Sequence, residues 1–415
     1  MLTGSLAFHF VVQRVAVLSL HTSPLAQPGT GDSGGMNVYV RELVSALAQA
    51  GVECTTYTRA SRPGQPEVVH VEPGHRVVHV PAGPYDLSKE QLPSVMDEFG
   101  DAVMQHLRTD APADVIHANY WLSGQVAHRI KHAMDIPFVS TFHTLAKVKA
   151  EGGDFEPEWR ERAEAEIISC ADAIAVSCTE EESQFRRIYG DPRGRIEIIA
   201  PGVEHAFFAP GDQRGARRAL ELPVDVPVLL FVGRIQPLKG PDVAVRALAA
   251  LGRSEALLLI VGGASGADGD GEVARLHALI AELGVADQVR FVAPQPHHIL
   301  STYYRAADAV VVPSRSESFG LVALEAAACG IPVVASAVGG LLTLVDHGDT
   351  GYLVADRDPD LFARHLREII DNPDHAARMG ERGAQRSRRY TWSLAAARLR
   401  RVYADLAVDS LVACR

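Results

Sequence analysis

The sequence predicts an α/β chain built as two Rossmann-like parallel-sheet domains in series, facing each other across a cleft. Three observations predict it. The 415 residues suit two or three domains, each large enough to bury a core. Short apolar runs alternate with helical patterns, the signature of repeated βαβ units. Residues 201–227, punctuated by Pro201-Gly202, Pro210-Gly211, Pro223 and Pro227, separate two such alternations as a linker would.

Taken in order, residues 1–12 read as an N-terminal extension. The segment is apolar, but Gln13 and Arg14 interrupt it, and it has neither an early basic region nor a small-residue cleavage site. No apolar run reaches the roughly 18 residues of a membrane span. The first domain, 13–205, has strand-like runs at 15–20, 53–58, 76–80, 115–117, 138–141, 173–177 and 196–199. A helix opening near Gly34 carries Met36, Val40, Leu43, Val44 and Leu47 at helical spacing, and another covers 160–169. The second domain, 206–392, repeats the pattern at 228–232, 256–261, 289–292, 309–312 and 332–335. Residues 393–412 form one amphipathic helix, expected to pack back on the first domain. In such sheets ligands bind outside the carboxyl ends of the strands, and a cleft between two domains is the usual small-molecule site.

Hydrophobic content of 47% and charged content of 22% are ordinary for a globular chain. A net charge of −11 argues against nucleic acid or an anionic membrane as the main partner. Cys54, Cys170, Cys178, Cys329 and Cys414 are few, odd in number and far apart, and no pair has metal-ligand spacing. They read as incidental thiols in a reducing cytoplasm.

Three motifs could carry chemistry. Gly29-Thr30-Gly31-Asp32-Ser33-Gly34-Gly35 follows the first strand and opens a helix. Such a loop brings backbone N–H groups to a phosphate. The rival reading is an NADP oxidoreductase using Gly29 to Gly34 with Arg59. Val232-Gly233-Arg234-Ile235-Gln236-Pro237-Leu238-Lys239-Gly240 follows the first strand of the second domain. Its arginine fork and lysine point charge suit a diphosphate. Pro313-Ser314-Arg315-Ser316-Glu317-Ser318-Phe319-Gly320-Leu321-Val322-Ala323-Leu324-Glu325 sets two glutamates around a helix start at Phe319-Gly320. Paired carboxylates accept hydrogen bonds from sugar and ribose hydroxyls. His143, His117, His21 and the pair His297-His298 are lesser candidates. Asp268-Gly269-Asp270 is readable as a metal-binding Asp-x-Asp but sits in a glycine-rich surface loop.

Together the three motifs resemble the retaining glycosyltransferases of GT-B fold, in the family that includes sucrose-phosphate synthases. HTSPLAQPGTGDSGGMNVYV, YTRASRP, AGPYDLSKEQLP, YWLSGQ and HTLAKVK are similar to its mycothiol-pathway branch, which transfers N-acetylglucosamine from UDP-N-acetylglucosamine to inositol 3-phosphate. The resemblance implies catalytic roles for His143, Arg234, Lys239 and Glu317. It implies donor contacts from Gln27, Pro28, Gly34, Gly35, Arg234, Lys239, Gln295, Glu317, Ser318, Phe319, Gly320, Leu321 and Glu325. Of these, Glu325 would take the ribose hydroxyls and Glu317 the sugar, which His143 would also touch. Acceptor contacts would be His21, Asp32, Ser33, Gly34, Gly35, Met36, Asn37, Lys89, Tyr120, Thr144 and Arg160, with Arg162 as the alternative to Arg160.

The resemblance also implies a structural Mg held by backbone oxygens of Tyr304, Arg305, Ala307 and Ile331, no cofactor needed for chemistry, a cytoplasmic location and a homodimer. The expected partners are a nucleotide-sugar donor and a small-molecule acceptor, with neither nucleic acid nor membrane. The chain departs from the pattern at Asn119, where His-x-His-Tyr-Trp becomes His117-Ala118-Asn119-Tyr120-Trp121, and at Phe142 and Arg315. The loop into Lys89 looks one residue shorter. Paralogues in lincosamide-type antibiotic pathways glycosylate other acceptors, sulfur among them, so a different nucleotide sugar, GDP-linked for instance, and a thiol acceptor form the alternative. A sugar-nucleotide sensor without turnover is a second alternative.

Overall fold

A computed structural model describes residues 12–151, 153–154, 156–265 and 269–414. The 1–11 part of the expected extension and Asp268 of the Asp-x-Asp therefore lie outside the described residues. The first sheet contains β1 (Arg14–Leu18), β2 (Glu53–Arg59), β3 (Val68–Glu72), β4 (His75–Val80), β5 (Val115–Asn119), β6 (Phe138–Thr141), β7 (Ala173–Val176) and β8 (Arg195–Ile198). Its order is β3-β4-β2-β1-β5-β6-β7-β8, parallel except for β3 against β4. The second contains β9 (Val228–Val232), β10 (Leu257–Val261), β11 (Val289–Val292), β12 (Ala309–Val312), β13 (Val333–Ser336) and β14 (Gly351–Val354), all parallel, in the order β11-β10-β9-β12-β13-β14.

The strands are apolar runs because helices cover both faces, which leaves no solvated side to demand alternation. Val228, Leu229, Leu230 and Phe231 of β9 are all buried, with Leu230 and Val228 facing one core and Leu229 and Phe231 the other. β1 lies between β2 and β5, and β9 between β10 and β12. Strand order reverses at each, and a crevice opens at their carboxyl ends. The loops that leave β1, β5, β6, β9 and β12 carry the candidate motifs, so the topology gathers them in one place.

The Trp392–Leu406 helix returns to the first domain. Trp392, Leu399, Val402 and Tyr403 share a core cluster with Val38, Leu43 and Leu47 of the Gly35–Gln49 helix. Buried His117 in the middle of β5 bonds Tyr403 Oη through Nδ1 at 2.6 Å and Thr141 Oγ1 through Nε2 at 2.8 Å. Burial pushes its pKa down to about 4, so His117 works as a neutral packing residue.

Several expectations need correction. β3 and β14 have no counterpart in the strand-like runs. The punctuated 201–227 stretch holds a short helix, Gln213–Ala219. The tail helix stops at Leu406, and the chain then runs to Asp172, whose Oδ1 accepts Val412 N at 2.8 Å. Two of the five cysteines are not incidental. Cys170 and Cys414 are paired as a disulfide, with Cα atoms 4.8 Å apart. Sequence spacing hid the pair because the tail brings Cys414 back from the far end of the chain. Cys54, Cys178 and Cys329 are free and buried.

Candidate active site

A cleft of about 600 Å³ lies between the two domains. Among the residues singled out above, it is lined by His21, Pro28, Asp32, Gly34, Gly35, Met36, Lys89, Tyr120, His143, Thr144, Arg160, Arg234, Lys239, Gln295, Glu317, Ser318, Phe319, Gly320, Leu321 and Glu325.

On the second-domain wall, Arg234 and Lys239 leave β9 on one loop. Lys239 Nζ donates to Glu317 Oε2 at 2.7 Å, and Arg234 Nη1 donates to Ser265 Oγ at 3.2 Å. Desolvation lowers the Arg234 pKa, opposed by the charges of Asp32, Glu317 and Tyr120. An arginine starts so high that it stays cationic. Glu325 is buried, with Oε1 on His297 Nε2 at 2.8 Å and Oε2 accepting from Tyr304 Oη at 2.7 Å. Burial works against a charged His297, yet the Glu325 carboxylate outweighs it and the histidine pKa is raised. His297 and Tyr304 thus position a carboxylate that sequence reading assigned alone. The adjacent histidines carried no signal for this, because the pairing crosses two elements.

The helix after the Glu motif begins at Leu321, two residues later than Phe319, with Gly320 as its cap at φ 104°. A Cβ at Gly320 would stand 2.8 Å from Leu341 Cδ2. Only glycine combines that backbone with that neighbour.

On the first-domain wall, the glycine loop delivers the N-terminus of the Gly35–Gln49 helix into the cleft. Its first N–H groups have no partners within the helix. A Cβ on Gly34 would come within 3.3 Å of Arg234 Nε, so the two phosphate-seeking features face one another. Ser33 and Asn37 lie beneath this loop instead of on the cleft wall. Ser33 Oγ meets Thr22 Oγ1 at 3.1 Å, and Asn37 joins Thr22 Oγ1, Ser23 O and Gly34 N at 2.8, 2.7 and 2.8 Å. They hold the loop's shape. Gln27 reaches across to Gln295 O at 2.6 Å.

Opposite the glycine loop, Lys89 Nζ and the Arg160 guanidinium sit 5.0 and 5.1 Å from the Tyr120 ring centre. Arg160 is fully buried, bonded to Glu164 Oε1 at 2.9 Å and to Glu156 Oε1 at 2.6 Å, with Thr144 Oγ1 at 3.2 Å. Arg162 is exposed and outside the wall. His21 packs on Tyr120 with ring centres 4.5 Å apart. Burial, and then the charges of Lys89, His143, Arg234 and Arg160, hold His21 well below the ordinary histidine range. Burial, aided by His117, pushes His143 down to about 3. Both rings are neutral at physiological pH. Tyr120 and His143 have φ of 74° and 60°, positive values that L residues adopt at a cost and that cluster at working sites.

The departures sort by position. Asn119 Oδ1 bonds His143 Nε2 at 2.9 Å and so touches the site. Phe142 is core, packed near Phe185. Arg315 is exposed and not on the wall. Tyr39, whose ring meets His143 edge-on at 4.9 Å, lines the cleft and was missed as an apolar-face residue of its helix.

Two of the four carbonyls expected to hold Mg each accept one hydrogen bond. The Tyr304 carbonyl already accepts Ala307 N at 3.0 Å, and the Ala307 carbonyl accepts Gln213 Nε2 at 2.9 Å. Each oxygen keeps a second lone pair for a cation, and no step is routed through a metal there. The NADP reading fails on geometry. Arg59 is buried, and its guanidinium donates to Pro84 O and Tyr85 O at 2.8 and 3.1 Å. Among the described residues no helix is long and apolar enough to cross a membrane.

Comparison with known proteins adds the following. The profile of the family "Glycosyl transferases group 1" matches residues 212–386, and that of "Glycosyl transferase 4-like domain" matches residues 34–202. The chain is 46% identical to D-inositol 3-phosphate glycosyltransferase 2 of Catenulispora acidiphila, over 97% of each chain. It is 46% identical to D-inositol 3-phosphate glycosyltransferase of Thermobispora bispora, over 95% of each. Among solved structures, sucrose-phosphate synthase of Thermosynechococcus elongatus superposes with a TM-score of 0.90 at 35% identity, covering 95% of this chain and 99% of that one. Anabaena HepE, solved with UDP and glucose, superposes with a TM-score of 0.76 at 19% identity, over 94% and 99% of the two chains, a likeness of fold alone.

Proposed function

Because the chain belongs to the GT-B glycosyltransferase family that contains the D-inositol 3-phosphate glycosyltransferases, we propose that it transfers a sugar, with retention, from a nucleotide-diphosphate donor to a phosphorylated polyol. The donor proposed is UDP-N-acetylglucosamine and the acceptor inositol 3-phosphate. One observation carries the reading. Cationic side chains face the same cleft from both walls, Arg234 with the Glu317-paired Lys239 on one, and on the other Lys89 over Tyr120 beside Arg160, which is paired with Glu156 and Glu164. A donor diphosphate and an acceptor phosphate are the two anions such a cleft would hold.

In this scheme the acceptor hydroxyl attacks the anomeric carbon from the face that the diphosphate leaves. The bond from that carbon to the phosphate oxygen breaks as the new glycosidic bond forms, and a leaving phosphate oxygen takes the hydroxyl proton. Arg234, Lys239 and the amides of the Gly35–Gln49 helix stabilise charge on the diphosphate. A covalent route is disfavoured because Glu317 is paired with Lys239, and Glu325 with His297 and Tyr304. Neutral His143, anchored by Asn119, is a hydrogen-bonding group for the sugar.

Asn119 also favours a second reading, a paralogue with another donor sugar and acceptor, because its side chain bonds the cleft residue His143. Incubation with UDP-N-acetylglucosamine and inositol 3-phosphate should release UDP and yield a glycosylated inositol phosphate with an α linkage by NMR. No UDP release, together with thermal stabilisation by GDP but not UDP, would replace the first reading with the second.

A further inference from the structure

His128, His132, Cys170 and Cys414 converge on the outer side of the first domain, and none of them lines the cleft. The histidines are four apart on the Tyr120–Met134 helix, so both rings leave the same face. Cys170 is the last residue of the Glu158–Cys170 helix, and Cys414 lies on the tail beyond the Trp392–Leu406 helix. We propose that these four side chains form a closed zinc site that fastens the carboxyl-terminal tail to the first domain.

Cys170 and Cys414 stand as a bonded pair; the proposed site takes them as the two thiols left by a thiol reductant, their sulfurs parted to the roughly 3.8 Å of a tetrahedral edge, and the other distances suit the ion. The two Nε2 atoms are 3.1 Å apart, Cys170 Sγ is 3.5 Å from His132 Nε2, and all four ligand atoms lie within 4.8 Å of one another. Tetrahedral zinc, with bonds of about 2.0–2.1 Å to nitrogen and about 2.3 Å to sulfur, needs edges of roughly 3.3 Å between nitrogens and roughly 3.5 Å between nitrogen and sulfur. The disulfide between the two sulfurs leaves the imidazole nitrogens only the hydrogen bond they share. On a partly exposed helix face those rings could rotate apart, and a shared cation accounts for their convergence.

The surroundings hold both thiol-bearing segments. Buried Lys131 donates to Cys170 O at 2.8 Å and to Asp172 Oδ1 at 2.7 Å. Asp172 in turn accepts Val412 N at 2.8 Å and Phe138 N at 2.9 Å. Two imidazoles and two thiolates are the donor set of structural zinc and match neither Mg nor Ca. Binding releases the two thiol protons and involves no oxidation.

The test uses the full chain, purified under reductant without chelator. Elemental analysis should find zinc, and replacement by cobalt(II) should give thiolate charge-transfer absorption with the intense visible bands of tetrahedral cobalt. Cys414→Ser and His132→Ala should each abolish those bands while keeping the circular dichroism of the wild type. Chelator should lower the wild-type Tm and leave that of the variants unmoved. His132 is exposed, so its variant serves should Cys414→Ser not fold. Cobalt spectra unchanged in His132→Ala, or Cys170 and Cys414 joined by mass spectrometry in reduced protein that takes up no cobalt, would overturn the site. None of these readouts depends on glycosyl transfer.

Discussion

At Lys239 the single ammonium is shared between Glu317 and, in the proposed reaction, the departing diphosphate. Its loss removes charge that matters most at the transition state. Lys239→Ala should lower kcat about 100-fold, a cost on the order of 3 kcal/mol, with a Tm within a degree or so of the wild type. Steady-state assay beside a thermal melt separates the two. Asn119 is a subtler case, since its amide sets the ring of His143. Asn119→Ala should reduce kcat/KM roughly 10-fold, the worth of one hydrogen bond, and wild-type kinetics would remove Asn119 from the site. His143 also leaves a mark on stability. Its folded pKa lies at about 3, below the unfolded value near 6.5. The unfolded chain therefore binds the extra proton first, and the ring's cost appears as pH falls through 6.5 and grows toward 3. Urea midpoints should drop between pH 7 and pH 5, and His143→Gln should flatten that slope.

The same contrast between near and far neighbours decides what was legible at the level of elements. β1, β9 and the loops behind them could be read because a continuous apolar run followed by glycine or a cation is a local pattern. β3 could not, since it is a short antiparallel edge strand whose residues are mostly half-exposed. β14 is four residues long and opens on a glycine, which leaves three apolar side chains. The glutamates of the donor wall were visible as a spaced pair, whereas His297 and Tyr304 became partners of Glu325 only through packing of the His297–Ala306 helix. Ser33 and Asn37 were legible as part of a loop but not as its internal braces. The glycine loop shows what the local pattern does specify. Gly34→Ala adds a methyl 3.3 Å from Arg234 Nε, so the guanidinium must shift. Donor KM should rise several-fold with little change in Tm, as measured by initial rates at varied donor concentration.

Across the whole molecule, the two sheets are joined twice, once by the 201–227 stretch and once by the chain that returns to form the Trp392–Leu406 helix. Closing contacts such as Gln27 to Gln295 and Ser318 to the His143 carbonyl then bring the walls together, which excludes water from a donor that hydrolysis would waste. The returning helix is tied by Tyr403 to His117. Tyr403→Phe leaves a buried nitrogen without its partner and should cost about 1–3 kcal/mol in urea unfolding while sparing kcat.

That return also fixes an order of events during synthesis. The first domain precedes the second in the chain, but the apolar flank formed by Val38, Leu43 and Leu47 is sealed by residues made after the whole second domain. Through translation of the second domain the nascent protein carries an open seam, and the first domain closes only after the second has been made.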